Sequence, residues 1–203
     1  MGYLIALIGG YLMGCSNLAY WLSRGAKVDF RKGGSGNLGA SNTTILLGWR
    51  AGVLVAIHDI GKAALAVLLA RMLFPDLDYA GAVAGVACVL GHVFPFWLKF
   101  RGGKGLASFL GMVATVNWKV GIAIALLLVV ITLVTDFISL GTLTVSVVAP
   151  VGVFLMTGGW ELPLILSIAS GVLIYKHQEN IRRLLNKTEI GLRSTVKGEN
   201  RVK

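Results

Sequence analysis

The apolar positions of this chain fall in long, nearly unbroken runs. Six stretches, 3–22, 51–74, 79–98, 120–135, 137–157 and 162–175, hold only a handful of ionisable groups. Each is close to the roughly 17–25 residues that a helix needs to cross the hydrocarbon core of a bilayer. A closed helix is the natural state there, because every backbone N–H and C=O is satisfied within the segment. A transmembrane β-barrel would show short segments of alternating pattern, and the sequence has none. The region 106–135 is too long for one span, at about 45 Å on the helical rise, and Asn117-Trp118-Lys119 interrupts it. It therefore predicts a short span near 106–116 and a second near 120–135.

Composition agrees with that pattern. Hydrophobic residues make up 56% of the 203 positions and charged residues only 14%, whereas a soluble domain is about a quarter charged. The mean hydropathy is +0.78. The first run has no basic segment before it, and Gly9, Gly10 and Gly14 suit helix packing better than signal-peptide cleavage, so it reads as a retained span. Cys15 and Cys88 both lie within apolar runs and read as packing residues.

The formal net charge of +10 is unevenly placed. Loop 24–50 carries Arg24, Lys27, Arg31, Lys32 and Arg50 against Asp29 alone, and loop 99–104 carries Lys99, Arg101 and Lys104. The tail 176–203 has eight Lys or Arg and three Glu, while the connections near 75–78 and 158–163 are acidic. The positive-inside rule places the three basic regions in the cytoplasm. Parity then requires an even number of crossings between loop 99–104 and the tail, which the split at Asn117 provides. The reading is an all-α integral membrane protein of about seven transmembrane helices, N-terminus outside and C-terminus cytoplasmic. The whole of 1–203 forms one polytopic domain, with 179–203 as a basic cytoplasmic tail.

Three polar clusters carry candidate chemistry. The first, Lys32-Gly33-Gly34-Ser35-Gly36-Asn37-Leu38-Gly39-Ala40-Ser41-Asn42-Thr43, combines glycines, hydroxyls and amides beside basic residues. Such a loop turns N–H groups inward toward an anion, and the apolar residues after Thr43 suggest a short helix whose N-terminus faces the same site. The alternative is a flexible membrane loop. The second cluster, Arg101-Gly102-Gly103-Lys104-Gly105, repeats the pattern of a basic residue, two glycines, a polar residue and a glycine. The two loops suggest two phosphate sites, or one built from both sides. The second loop does not fit a Walker A loop, since Gly105 follows Lys104 and the first glycine is missing.

The third cluster opens the tail. If the last span continues as a helix, His177, Asn180 and Ile181 or Leu184 share a face; the bland alternative is a basic amphipathic exit that binds anionic headgroups. Within the spans, Asp59 and Lys62 are three apart and read as a structural polar pair. His92 reads equally as structural or as catalytic, and His58 as structural.

Ser35-Gly36-Asn37-Leu38-Gly39-Ala40-Ser41-Asn42, Asp59-x-x-Lys62, Gly91-His92 leading to Gly102-Gly103-Lys104-Gly105, and His177-x-x-Asn180-Ile181-x-Arg183-Leu184 follow one another in order. In these motifs and in its hydropathy the chain resembles, over nearly its whole length, the bacterial acyl-phosphate:glycerol-3-phosphate acyltransferases, the PlsY family. It departs from the family pattern at Ile45, where an Arg is frequent, and at Lys187, where a Gly is usual.

The resemblance implies transfer of an acyl group from an acyl phosphate to the 1-hydroxyl of glycerol 3-phosphate. The products are lysophosphatidic acid and phosphate, in a first step of phospholipid synthesis at the bacterial cytoplasmic (inner) membrane. The site would face the cytoplasm. The implied partners are the two substrates and the lipid bilayer, with no cofactor, metal or nucleic acid. His177, Ser35 and Lys104 would be catalytic. Gly36, Asn37, Gly39, Ser41, Asn42, Gly102, Gly103, Asn180, Arg183 and His92 would bind substrate, with the backbone of Gly102 and Gly103 holding phosphate charge.

No His is followed by an Asp five positions later, so the His-Asp pair of other glycerolipid acyltransferases is missing. Ser35 has no nucleophile elbow around it. A substrate phosphate, with a second pKa near 6, is the favoured acceptor of the hydroxyl proton, with His177 second and His92 third. A small transporter of an anionic substrate would explain the spans but leave the two glycine loops unused. A membrane scaffold would explain the basic tail and little else.

Overall fold

Asn117 breaks the longest apolar stretch. Helix α6 (Leu106–Val116) ends just before it and α7 (Trp118–Thr135) starts just after. The Asn117 side chain caps α7 by accepting from the Val120 N–H at 3.2 Å. Gly121 packs directly on the backbone of Ala114. Seven residues of continuous helix would hold those two about 10 Å apart, so the chain reverses here and α6 and α7 form a hairpin, as the sequence predicts.

The computed structural model describes residues 1–197, and the far end of the basic tail, 198–203, lies outside the described residues. The remaining elements are α1 (Gly2–Gly14), α2 (Leu18–Gly25), α3 (Ala40–Leu47), α4 (Trp49–Leu73), α5 (Ala80–Val93), a 3-10 turn (Phe96–Leu98), α8 (Ile138–Thr157), α9 (Glu161–Lys176), α10 (Gln178–Leu185) and α11 (Leu192–Lys197). Among the described residues five helical stretches are long and apolar enough to cross a membrane: Gly2–Gly25, Trp49–Leu73, Ala80–Leu98, Trp118–Thr135 and Ile138–Thr157. Helix α6 is a shorter apolar helix. Leu126, Val129, Val130, Leu133 and Val134 of α7 and Val147, Val151, Phe154 and Leu155 of α8 point outward, as a lipid-facing surface requires.

The centre of the bundle is α5, whose Ala- and Gly-rich sequence lets neighbours approach on nearly every side. Gly10 and Gly14 of α1 lie so close to Ala84 and Cys88 of α5 that a Cβ at either would strike backbone. Gly9, which the sequence groups with them, has nothing near it and is no part of that contact. Cys15 and Cys88 are buried and unpaired by disulfide. Phe109, Met112, Val113, Leu166 and Leu173 complete the core around α5.

Two helical runs are interrupted without losing their course. The first span breaks at Cys15–Asn17, where Asn17 caps α2 by accepting from the Tyr20 N–H at 2.9 Å. The Trp97 indole N–H donates to the Cys15 carbonyl at that elbow, at 2.9 Å. The last span is interrupted where it enters the tail. His177 leaves helical geometry between α9 and α10, and Asn180 of α10 meets Lys104.

Candidate active site

Asn42, in the first turn of α3, builds the first glycine loop. Its Oδ1 accepts from the Ser35 N–H at 2.7 Å, and its Nδ2 donates to the carbonyls of Phe30 (2.9 Å), Asn37 (2.9 Å) and Gly33 (3.2 Å). The amide is fully buried, so it organises the loop from behind. This corrects the expectation that Asn42 binds substrate. The helix that follows starts at Ala40, a little earlier than the apolar residues suggest. Its first turn leaves N–H groups without intrahelical partners, and Gly39, Ala40 and Ser41 line a cavity of about 320 Å³.

The second loop departs further from expectation. The Gly102 N–H donates to the Val93 carbonyl at 3.0 Å and the Gly103 N–H to the His92 carbonyl at 3.1 Å. The C-terminal carbonyls of α5 need partners, and these glycines supply them. Their N–H groups are therefore engaged and not turned toward an anion. Gly103 is buried against the His92 ring, where a Cβ would collide with it. What faces the cavity is Lys104 together with Gly105, Leu106 and Ala107, the N-terminal turn of α6. The Arg31 guanidinium ties the two loops together by donating to the carbonyls of Arg101 (3.0 Å) and Leu98 (3.3 Å). The charge pattern does not signal that role.

The turn at His177 brings the third cluster to the same place. His177 Nδ1 lies 2.7 Å from the Leu173 carbonyl. A carbonyl only accepts, so Nδ1 carries the proton and Nε2 the lone pair. Burial, helped by the neighbouring Lys104 charge and opposed by the bond to the Leu173 carbonyl, pushes the imidazole down to about 4. The ring is neutral at physiological pH. Lys104 donates to Asn180 Oδ1, and burial, followed by the nearby Arg183 charge, lowers its ammonium to about 8. Asn180 Nδ2 donates to Glu189, which also accepts from Arg183 Nε at 2.7 Å. Burial alone would raise the Glu189 carboxyl, but the hydrogen bonds from Arg183 and Asn180 hold it below its ordinary value. Leu192 N–H donates to the Asp136 carbonyl at 2.7 Å and Arg193 N–H to Asp136 Oδ1 at 2.9 Å, pinning residues 189–193 across the cavity mouth.

The cavity thus collects Ser35, Asn37, Gly39, Ser41, His92, Lys104, His177, Asn180 and Arg183 from four separate parts of the sequence. An adjoining cavity of about 450 Å³ shares Ser35, Asn37 and Lys104 and adds Gly36, Gly102, Arg31, Arg101 and Lys176. Asn42 and Gly103 stand behind the walls, and Arg50 packs over Trp49, away from both cavities. Asp59 and Lys62 pair at 2.7 Å, with Asp59 on the cavity wall. Sequence reasoning misses Glu189, whose one trace is an acidic residue in a basic tail. Apolar residues of α3, α4, α6 and α8, among them Ile45, Val53, Leu106 and Ile138, line the remaining wall.

An arrangement of two helix N-termini, a lysine and a neutral histidine beside an apolar wall suits an anionic amphiphile. Comparison with known proteins agrees. The family model described as glycerol-3-phosphate acyltransferase matches residues 4–187. A glycerol-3-phosphate acyltransferase 1 of Deinococcus radiodurans is 40% identical over 92% of this chain and 93% of its own. A glycerol-3-phosphate acyltransferase of Thermoanaerobacter pseudethanolicus is 36% identical over 95% and 98%. The crystal structure of PlsY (YgiH), an integral membrane glycerol 3-phosphate acyltransferase, in its glycerol 3-phosphate form superposes with a TM-score of 0.90. It is 32% identical, over 96% of this chain and 97% of that one. Its lysophosphatidic acid form gives 0.86, also at 32% identity, over 94% and 95%. With this sequence similarity and this helical membrane fold, the chain belongs to the glycerol-3-phosphate acyltransferase family.

Proposed function

We propose that the protein transfers the acyl group of an acyl phosphate to the 1-hydroxyl of glycerol 3-phosphate. The hydroxyl oxygen attacks the acyl carbonyl carbon, the bond from that carbon to the phosphate oxygen breaks, and lysophosphatidic acid and inorganic phosphate leave. The observation that carries this reading is the convergence of Lys104 with the N-terminal turns of α3 and α6 on one cavity that is apolar on its other side. The phosphates rest against Lys104 and those helix N-termini, with Arg183 and Asn180 orienting glycerol 3-phosphate. The acyl chain lies along Ile45, Val53, Leu106 and Ile138. The acyl phosphate is already an activated mixed anhydride, so holding the hydroxyl in line supplies much of the rate.

His177 orients glycerol 3-phosphate by accepting a hydrogen bond from its 2-hydroxyl through Nε2, which leaves the proton of the attacking 1-hydroxyl to a phosphate. With its basicity lowered to about 4 it is a poor proton acceptor at neutral pH, and a substrate phosphate with a second pKa near 6 is the better one. Ser35 contributes its hydroxyl to substrate binding, without an acyl-enzyme. The protein spans the membrane seven times as one domain, with the N-terminus outside and the tail and site on the cytoplasmic face of the inner membrane. The basic loops support this orientation.

Purified protein incubated with acyl phosphate and glycerol 3-phosphate should release phosphate and lysophosphatidic acid in equal amounts. Acyl-coenzyme A should not replace the acyl phosphate. No phosphate burst is expected without glycerol 3-phosphate; a burst, or acyl transfer only from the thioester, would sink the direct mechanism.

A further inference from the structure

The polar cluster at the deep side of the cavity has no part in the chemistry above. The Lys62 ammonium is 2.7 Å from Asp59 Oδ1, 2.7 Å from the Ser16 carbonyl and 2.9 Å from His92 Nδ1. An ammonium has three N–H donors and no lone pair, so all three are used and His92 Nδ1 is an acceptor. Asp59 Oδ1 stands farther from that nitrogen, at 3.4 Å. It already accepts from Lys62 and lies 3.2 Å from His58 Nδ1. His58 Nε2 is 3.0 Å from the Ser16 hydroxyl. The donors therefore order themselves. Ser16 donates to His58, His58 and Lys62 donate to Asp59, and Lys62 donates to His92.

A neutral imidazole that accepts at Nδ1 carries its proton at Nε2. Two observations bring that edge of the ring close to the site. His92 lines the cavity, and its Nε2 edge lies against Gly103, next to Lys104. Ionisable residues inside a membrane bundle are costly and mark function.

We propose that Asp59 and Lys62 are positioning residues. They hold His92 as its Nε2–H form, which donates to a phosphate oxygen of bound substrate. The inference rests on the cavity being the phosphate-binding site proposed above.

The test labels histidine with ¹⁵N in the full-length protein and identifies the His92 signals by their loss in His92→Gln. Wild type should show Nε2 protonated and Nδ1 unprotonated, and inorganic phosphate should move the Nε2–H resonance. Asp59→Asn with Lys62→Met, which removes both charges together, should shift the ring toward the Nδ1–H form. The same double variant should raise the KM of one phosphate substrate by about ten- to a hundredfold, the range of a hydrogen bond to a charged group, with a smaller effect on kcat. Separate KM values for acyl phosphate and glycerol 3-phosphate identify which phosphate His92 holds. His92→Leu should raise that KM as the double variant does, and His92→Gln, whose amide keeps an N–H near that position, should recover part of the loss. An Nδ1–H ring in wild type, a resonance indifferent to phosphate, or a wild-type KM in His92→Leu would each overturn the proposal. Absence of acyl transfer with the tautomer and phosphate response intact would instead count against the catalysed reaction alone.

Discussion

Between pH 7 and pH 9, kcat/KM for the phosphate substrates should fall by roughly tenfold through Lys104 alone. The ammonium is lowered to about 8 by burial and by Arg183. A group with that pKa is about nine-tenths charged at pH 7, half charged at pH 8 and about one-tenth charged at pH 9. Only the charged form holds a phosphate, and kcat/KM reports the free enzyme. At saturating substrate the bound phosphate keeps the lysine protonated, so kcat should stay nearly flat over the same range. Lys104→Arg provides the control, because a guanidinium remains charged throughout. Its residual activity, however small, should show no step near pH 8. Initial rates over pH 6 to 10 at several substrate concentrations separate the two parameters. An unchanged kcat/KM up to pH 10, or the same descent in Lys104→Arg, would refute the assignment of the phosphate charge to Lys104.

Removing charges around that lysine should move the descent in opposite directions. Arg183→Gln should shift it to higher pH by relieving repulsion, and Glu189→Gln to lower pH by removing an attractive neighbour; pH profiles of the two variants check the signs. On the acid side the decline should follow the substrate phosphate near pH 6 and not His177 near 4. A phosphonate analogue with a higher second pKa should therefore carry the acid limb upward with it. Asn42→Ala should lose most activity and about 1–3 kcal/mol of stability, because it leaves the half-buried Ser35 N–H and the loop carbonyls unpaired; thermal unfolding and turnover measure both. Cysteines introduced at Ser35, Lys104 and Lys187 should be labelled from the cytoplasm, and one at Tyr79 from outside. Labelling of position 187 from outside would refute the seven-span topology.

A capping residue marked one helical boundary that the sequence reading found and one, Asn17 inside the predicted first span, that it passed over. Asn117 is a helix-capping residue in the middle of an apolar run, and that is where the chain turns. The break at His177 carries no such mark, because neither residue beside it is a glycine, a proline or a strong cap. The pattern of small and polar residues likewise drew Ser35, Lys104, His177 and Asn180 to notice, and they do meet in one cavity. Their division of labour was hidden. Asn42 and Gly103 have the same composition as a ligand-binding loop, yet one ties the loop from behind and the other caps α5. Composition cannot tell a donor aimed at substrate from one already used by the protein.

The same distinction determines which charges act on the substrates. A Gly-Gly pair beside a lysine suggests an anion cradle of backbone N–H groups, but the end of α5 has two carbonyls that accept from those groups. Binding them fixes the position of Lys104 and starts α6 at Leu106, so that the N-terminal turn of α6 meets that of α3 across the cavity. Glu189 completes the arrangement from the tail. It neutralises part of the Arg183 charge and orients Asn180, whose oxygen receives Lys104. Without that carboxylate, Lys104 and Arg183 would face each other across a poorly hydrated space, and the ammonium would lose its proton at lower pH. In the proposed reaction an incoming phosphate dianion would meet a lysine that is still charged and that rests on the neutral Asn180 oxygen, which can release it to the substrate.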